Sequence, residues 1–210
     1  MDLTDGALIE SFRRTKDPSH FKALVQRYQG RIYNAAFRIL GNSEEAEEVV
    51  QDTFVKVHQN MPKFQRQSSF SSWVFHIAHN HCVDLLRARQ RRSGFSLLSY
   101  DPQAAPADDE SAEGSLGVVS QLADSGPSPA QALDFKEQEA VIEASLKELP
   151  DTQRAVVVLH DIEGLSYQEI SEIVGANLGT VRSRLHYGRL KLRQLLEPYF
   201  AHQDVSPAPR

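Results

Sequence analysis

The chain has 210 residues, of which 40% are hydrophobic and 24% charged, so collagen-like, disulfide-scaffold and fully disordered proteins are excluded. Its longest aliphatic run, residues 155–159, is far shorter than the roughly 20 residues of a membrane-spanning helix. The first ten residues lack the basic and apolar segments of a signal peptide, and a single cysteine cannot form an internal disulfide. We therefore expect a cytoplasmic globular protein.

The net charge of −5 is unevenly distributed along the chain. Residues 100–135 contain seven acidic residues and no lysine or arginine, which leaves a net charge of +2 for the rest. Because the local field over about a Debye length governs binding to polyanions, a nucleic-acid partner is compatible with the acidic mean. The acidic stretch is also rich in Pro, Gly, Ser and Ala and has no apolar periodicity, which predicts a flexible linker.

The N-terminal block shows the three- and four-residue spacing of apolar side chains that is typical of helices. One long amphipathic helix is predicted to end at Gly41, and Asn42 or Ser43 caps the next helix. A third helix follows a polar loop and runs into a cluster of arginines. A weaker helix precedes these three.

The C-terminal block is also predicted to be helical throughout. Its first helix begins at about Ala132, and its last ends near Glu197. Ser166 and Glu169 have the spacing of a capping box, and Gly175 permits a tight turn after the short helix that this box opens.

No segment shows the period-two alternation that is typical of strands, so an all-α fold is predicted. The architecture expected is two small helical domains joined by a flexible acidic linker. Its boundaries are residues 1–95 for the N-terminal domain, 96–133 for the linker, 134–198 for the C-terminal domain and 199–210 for a disordered tail.

The final helix has an apolar stripe and a neighbouring cationic stripe. Val181 and Leu185 belong to the first stripe, whereas Arg182, His186 and Arg189 follow one residue later, about 100° around the axis. No acidic residue occurs between positions 178 and 196. A short capped helix, a glycine turn and a basic helix form a helix-turn-helix, whose second helix enters the DNA major groove. A solvated charged helix that closes a small bundle is the alternative interpretation.

The early residues of this helix are expected to reach base edges, since guanidinium groups pair bidentately with guanine. Residues farther along the helix are expected to meet phosphates. The predicted DNA-contacting residues are Thr180, Arg182, Ser183, Arg184, His186, Arg189 and Lys191.

Four motifs occur along the chain in a distinctive order. They are EEAEEVVQDTF at 44–54, SSFSSWVFHIAHN at 68–80, LPDTQR at 149–154, and GLSYQEI at 164–170 followed by GTVRSRL at 179–185. Together they resemble a bacterial RNA polymerase sigma factor of the extracytoplasmic-function group. The resemblance covers both blocks in the right order and is more specific than a helix-turn-helix alone.

The resemblance implies a dissociable, non-enzymatic subunit of RNA polymerase that needs no cofactor and acts in transcription initiation and stress response. Its first domain would bind polymerase and open the −10 promoter element, and its second would read the −35 element. Core polymerase, promoter DNA and an anti-sigma factor are the implied partners.

The resemblance also assigns residues by position. Polymerase binding falls to Glu48, Gln51, Asp52 and Phe54. Binding of the −10 strand falls to Lys63, Phe64, Arg66, Ser68, Ser69, His76, His79, Asn80 and Arg87. An acidic helix suits a protein partner, and a polar loop beside aromatic and basic residues suits unstacked bases. Ordinary solvation is the alternative explanation of the acidic helix face.

Family members often carry arginines where this chain has His76 and His79. Because an imidazole near phosphates gains charge as pH falls, promoter opening is expected to weaken with rising pH. The simpler alternative is that both histidines stay neutral and only form hydrogen bonds. Together with His81 and Cys82, these histidines also suggest a metal site, but His81 points to another side of the helix and no paired metal motif exists. No metal is predicted, and His81 and Cys82 are expected in the core.

Two other functions remain open at this stage. A helix-turn-helix regulator could bind duplex DNA without being a polymerase subunit. A metal-dependent hydrolase built on the histidines is the weaker alternative, since no phosphate-binding loop, nucleophile motif or paired-carboxylate site supports an enzyme.

Overall fold

The computed structural model describes residues 3–64, 69–92 and 129–203, and gives the side chains of all of these except residues 129–136 and 200–203. Across these ranges the chain forms α-helices and no strand, which confirms the all-α prediction there. The helices are α1 (Asp5–Thr15), α2 (Pro18–Leu40), α3 (Ser43–Asn60), α4 (Phe70–Arg92), α5 (Pro129–Lys147), α6 (Asp151–Val157), α7 (Tyr167–Val174) and α8 (Leu178–Gln203). A 3-10 turn (Met61–Lys63) follows α3, and a π-helical turn (Val158–Ile162) extends α6.

Helices α1 to α4 form the N-terminal domain by packing around the apolar stripe of α2. Leu24 and Ile32 of α2 are fully buried against Val49 and Val57 of α3 and Val74 of α4. Burying a side chain of this size contributes about 1.5–3 kcal/mol, so this stripe contributes substantially to the domain's stability.

The helix-turn-helix predicted from the sequence is present as α7, a glycine turn and α8. The capping box forms, because the amide of Glu169 donates to Ser166 Oγ and the amide of Ser166 donates to Glu169 Oε2 at 3.0 Å. Gly175 ends α7 with a φ of +64°, a conformation that favours glycine. Asn177 Oδ1 then accepts a bond of 2.8 Å from the amide of Thr180 at the start of α8.

Helix α8 approaches α6 closely at Gly188. A Cβ atom at this position would lie 2.8 Å from Cγ2 of Val157 and 3.6 Å from Cβ of Gln153. Any larger residue would force either Val157 or α8 to shift, so glycine permits the close approach of the two helices.

Arg154 closes the turn between α5 and α6. Its buried guanidinium donates to the carbonyls of Leu146, Lys147 and Leu149 at 2.7–3.0 Å. These bonds satisfy the end of α5, because the last carbonyls of a helix have no partner within it. A further bond of 2.7 Å reaches the carbonyl of Ile39 at the end of α2 and so crosses into the N-terminal domain.

The two domains pack against each other, which the sequence did not predict. Helix α2 contacts α5, α6 and the π-helical turn, and α4 contacts α7. Arg31 donates to both the carboxylate and the carbonyl of Glu163 at 3.0 Å, and Arg38 lies 3.4 Å from the carboxylate of Glu139. We call this packing the closed arrangement.

Two helices depart from their predicted bounds. Helix α5 begins at Pro129 rather than at Ala132, and α8 continues through Pro198 to Gln203 instead of ending near Glu197. Proline suits the first turn of a helix, where its missing N–H costs nothing. Within α8 it removes one donor, but its fixed φ remains compatible with the helix.

Most of the predicted linker 96–133 and the end of the predicted tail, residues 204–210, lie outside the described residues. Among the helices that are described, none is both long enough and apolar enough to cross a membrane.

Candidate nucleic-acid interface

The exposed face at the start of α8 carries Arg182 and His186. Thr180 and Arg184 are partly buried beside them. Ser183 faces inward instead: it is 3% exposed, and its hydroxyl donates to the carbonyl of Thr180 at 3.1 Å. The structure therefore presents the two arginines and the histidine of this set at or near the surface, but not the serine.

Arg189 is engaged inside the C-terminal domain. Its guanidinium makes a two-point contact with the carboxylate of Asp161 on the π-helical turn, with Nε 3.0 Å from Oδ2. The hydrogen bond to Asp161 is the main cause that raises the pKa of Arg189. Periodicity placed Arg189 on the cationic stripe but could not show an acidic partner 28 residues away. Lys191 and Arg193, by contrast, are exposed.

The face of α4 that was assigned to the −10 strand is partly exposed. His76, Asn80 and Arg87 are on the surface, and Arg87 lies 3.9 Å from Asp84. Lys63 is exposed just before this helix.

Two side chains near the start of α4, the aromatic ring of Phe64 and the hydroxyl of Ser69, make contacts within the protein. Phe64 is buried and stacks on Trp73 with 4.6 Å between ring centroids. Ser69 accepts a bond from the amide of Ser72 and donates to the carboxylate of Glu169 on α7 at 2.9 Å. The remaining predicted residues of this set, Arg66 and Ser68, lie outside the described residues.

His79 is buried, and its environment differs from that of His76. Burial, with smaller contributions from His76 and Arg184, lowers the pKa of His79 to about 4. Its imidazole is therefore neutral between pH 6 and 8 in the closed arrangement. A neutral imidazole, which is the simpler of the two alternatives for this pair, therefore describes His79 in the closed arrangement, because a buried imidazolium loses the hydration that a surface position provides.

The acidic face of α3 is exposed as predicted for Glu48, Gln51 and Asp52. Phe54 is instead buried and meets Phe21 edge-on at 6.4 Å. Val55 is 54% exposed on the same helix, three residues after Asp52. The sequence analysis missed Val55. Its spacing was the available signal, because residues three positions apart are neighbours on a helix surface and Asp52 was predicted to be exposed.

His81 lies beneath this acidic face. Its Nε2 atom is 3.7 Å from Oε1 of Glu48, and its Nδ1 atom is 3.6 Å from Oδ2 of Asp52. The predicted burial of His81 and Cys82 is confirmed, and burial raises the pKa of the Cys82 thiol to about 12. Within the described ranges no group of three or more His, Cys, Asp and Glu side chains is arranged to hold a metal ion.

The surfaces assigned to the −10 and −35 elements lie close together in the closed arrangement. Helix α4 packs on α7, and the Ser69–Glu169 bond joins them. Arg184 at the start of α8 is near enough to His79 to affect its pKa.

Comparison with known proteins identifies both domains. Residues 24–92 match the family model Sigma-70 region 2, and residues 139–192 match Sigma-70, region 4. The chain is 34% identical over 180 residues to the ECF RNA polymerase sigma factor SigW of Bacillus subtilis, across 86% of this chain and 90% of that protein. The chain belongs to the ECF sigma factors. It is thus an alternative sigma factor that directs RNA polymerase to promoters, which confirms the resemblance carried by the four motifs.

A second relative agrees with this assignment, and a solved structure is similar in fold. SigE of Mycolicibacterium smegmatis is 37% identical over 173 residues. These residues cover 82% of this sigma factor and 60% of the length of SigE. The sigma factor RpoE of Bartonella quintana, solved in complex with the anti-sigma factor NepR, shares the fold. Its TM-score is 0.61 at 24% identity, over 84% of this chain and 96% of that one.

Proposed function

We propose that the two domains divide the promoter between them, with the N-terminal domain capturing the −10 strand and the C-terminal domain reading the −35 duplex. The observation that carries this proposal is the capped helix-turn-helix, whose second helix begins with exposed Arg182 and His186. Thr180 and Arg184 complete the base-reading set, and Lys191 and Arg193 contact phosphates. We assign Arg189 to bracing α8 rather than to DNA, because Asp161 holds its guanidinium.

Polymerase binding is assigned to the exposed face of α3. Glu48, Gln51 and Asp52 lie on the same exposed face of the helix as Val55, and protein interfaces typically combine apolar and polar side chains. Phe54 supports this face from the core and does not itself reach a partner.

Binding to both promoter elements requires the domains to separate. Elements two turns of duplex apart are about 70 Å from each other at 3.4 Å per base pair. The closed arrangement instead joins α4 to α7 directly. The segment of 36 residues between Arg92 and Pro129 could reach about 120 Å when fully extended, so it permits the separation.

An anti-sigma factor is the further partner that we propose. RpoE of Bartonella quintana was solved with such a protein, NepR. We also place this sigma factor in the cytoplasm, where core polymerase acts, and propose that it works by binding alone, with no catalytic step of its own.

Reconstituted transcription tests the proposal. Core polymerase with and without the sigma factor is incubated with fragmented genomic DNA, and transcript start sites are sequenced. We expect start sites that depend on the sigma factor and share two upstream elements about two turns apart. Specific binding to duplex DNA that neither needs polymerase nor yields transcripts would instead support a helix-turn-helix regulator.

A further inference from the structure

Arg13, in the last turn of α1, holds the chain that leaves α3. Its Nε and Nη2 atoms donate to the carbonyl of Met61 at 3.0 and 2.7 Å, and Nη2 also donates to the carbonyl of Phe64. Pro62 follows Met61, and the chain leaves α3 as the 3-10 turn Met61–Lys63. Within this turn the amide of Phe64 donates to the carbonyl of Met61 at 3.3 Å, and the guanidinium of Arg13 adds hydrogen bonds at both ends of the turn.

The same short segment is fixed from its other side by α4. The Phe64 ring stacks on Trp73 at 4.6 Å and meets Phe70 edge-on at 6.0 Å. The backbone of Phe64 is therefore held by Arg13 while its side chain is held by the first turn of α4. Exposed Lys63, which the proposed function places beside the −10 strand, lies between the two carbonyls that Arg13 binds.

We propose that Arg13 is a positioning residue for capture of the single-stranded −10 element. It fixes the backbone that presents Lys63 and so sets where the nucleic acid meets the start of α4. This inference rests on the −10 role proposed for the N-terminal domain. Arg13 precedes residues 24–92, so the matched family model does not include it.

The chemistry of the contact favours arginine specifically. A guanidinium offers a planar set of donors that can bind two carbonyls at once, whereas a lysine ammonium at the end of a flexible stem keeps its charge without that fixed geometry. Arg14 is a matched control. It follows Arg13 in α1 and carries the same charge, but its side chain is exposed.

The experiment uses the full chain assembled with core polymerase. Wild type, Arg13→Lys, Arg13→Gln and Arg14→Gln are compared for core binding, for binding of −35 duplex and for selection from a library of short single-stranded oligodeoxynucleotides with a randomised centre. We expect Arg13→Gln to bind single strands about tenfold more weakly and to enrich a less defined sequence. Core and −35 binding should remain at the wild-type level, Arg13→Lys should be intermediate, and Arg14→Gln should match wild type.

Three results would overturn the inference. One is an unchanged enriched sequence and affinity in both Arg13 variants. Another is an equal fractional loss of single-strand, −35 and core binding, which would indicate a purely structural helix cap. The third is a wild-type holoenzyme that starts transcription but enriches no single-stranded sequence, which would overturn the −10 assignment itself. If only the Arg13 variants keep wild-type selectivity, the Arg13 inference is wrong and the −10 assignment stands.

Discussion

At the scale of single residues, His79 makes the folded protein sensitive to acid. Burial lowers its pKa from 6.5 to about 4, so between these values the unfolded chain takes up the proton more readily than the folded one. Stability that is present near neutral pH is therefore lost as pH falls from about 6.5 towards 4. The loss attributable to this group between pH 7 and 5 is about 2 kcal/mol.

Urea unfolding at the two pH values measures this effect. His79→Gln should unfold with a smaller difference between pH 7 and 5 than wild type, because the substituted side chain does not titrate. His76→Gln is the control, since His76 is exposed on the same helix. Equal pH dependence in all three proteins would show that His79 is not the group responsible.

A second prediction concerns Arg189. It tests whether this residue stabilises α8 through Asp161 or contacts a DNA phosphate. Each phosphate contact that is lost lowers the salt dependence of duplex binding by about one unit. Arg193→Gln should therefore lower the slope by about one unit, whereas Arg189→Gln should leave the slope unchanged. The Arg189 variant should instead lose about 1–3 kcal/mol of stability, because Asp161 keeps a poorly exposed carboxylate without its partner. Titration of a −35 duplex at several salt concentrations decides between the two roles, and a reduced slope for Arg189→Gln would restore it to the DNA-contacting set.

At the scale of helices, the sequence predicted starts and stops better than the roles of individual side chains. Asn42, Ser166 and Gly175 act where their chemistry indicated, because caps depend on neighbours within a few residues. Phe54 illustrates the opposite case: the family resemblance assigned it to polymerase binding, whereas the structure buries it against Phe21. Ser183 is buried because its own backbone neighbour accepts its hydroxyl, a contact that no pattern of residue types reveals.

The exposed acidic face of α3 gives a prediction for this element. Charge reversal in Glu48→Arg with Asp52→Arg should abolish co-purification with core polymerase, because it replaces two exposed acids on the helix face that carries Val55 by cations. Glu47→Arg is the control: this acid is exposed on the same helix but lies about 100° from Glu48 around the axis. Both proteins should keep their helical content, and a double variant that still recovers core at the wild-type yield would disprove the assignment.

For the whole molecule, the closed arrangement is the feature that sequence reasoning could not supply. Its contacts join residues that are 132 positions apart in one case and 100 in another. Such contacts depend on how the two folded domains pack against each other. Arg31 donates two hydrogen bonds to Glu163, and Arg31 also lies over the ring of Phe75 at 5.2 Å.

Arg31→Ala should shift the free protein towards separated domains, because it removes both hydrogen bonds to Glu163. Energy transfer between dyes on the two domains should fall. Affinity of the free protein for duplex DNA should rise, because Arg184, which is partly buried near His79 of α4, becomes accessible when the domains separate. Arg27→Ala is the control, since Arg27 pairs with Asp5 inside the N-terminal domain. Unchanged energy transfer in Arg31→Ala would show that this contact does not hold the domains together.

The hydrogen bonds of Arg154 bear on how readily that separation can occur. Three carbonyls of its own domain remain bound to the guanidinium after the domains part, and only the carbonyl of Ile39 loses its donor. That carbonyl lies at the end of α2, where solvent can hydrate it once the neighbouring domain has left. Water can thus replace the Arg154 hydrogen bond to the carbonyl of Ile39. The turn between α5 and α6 then keeps its shape while the C-terminal domain leaves the N-terminal domain and binds DNA.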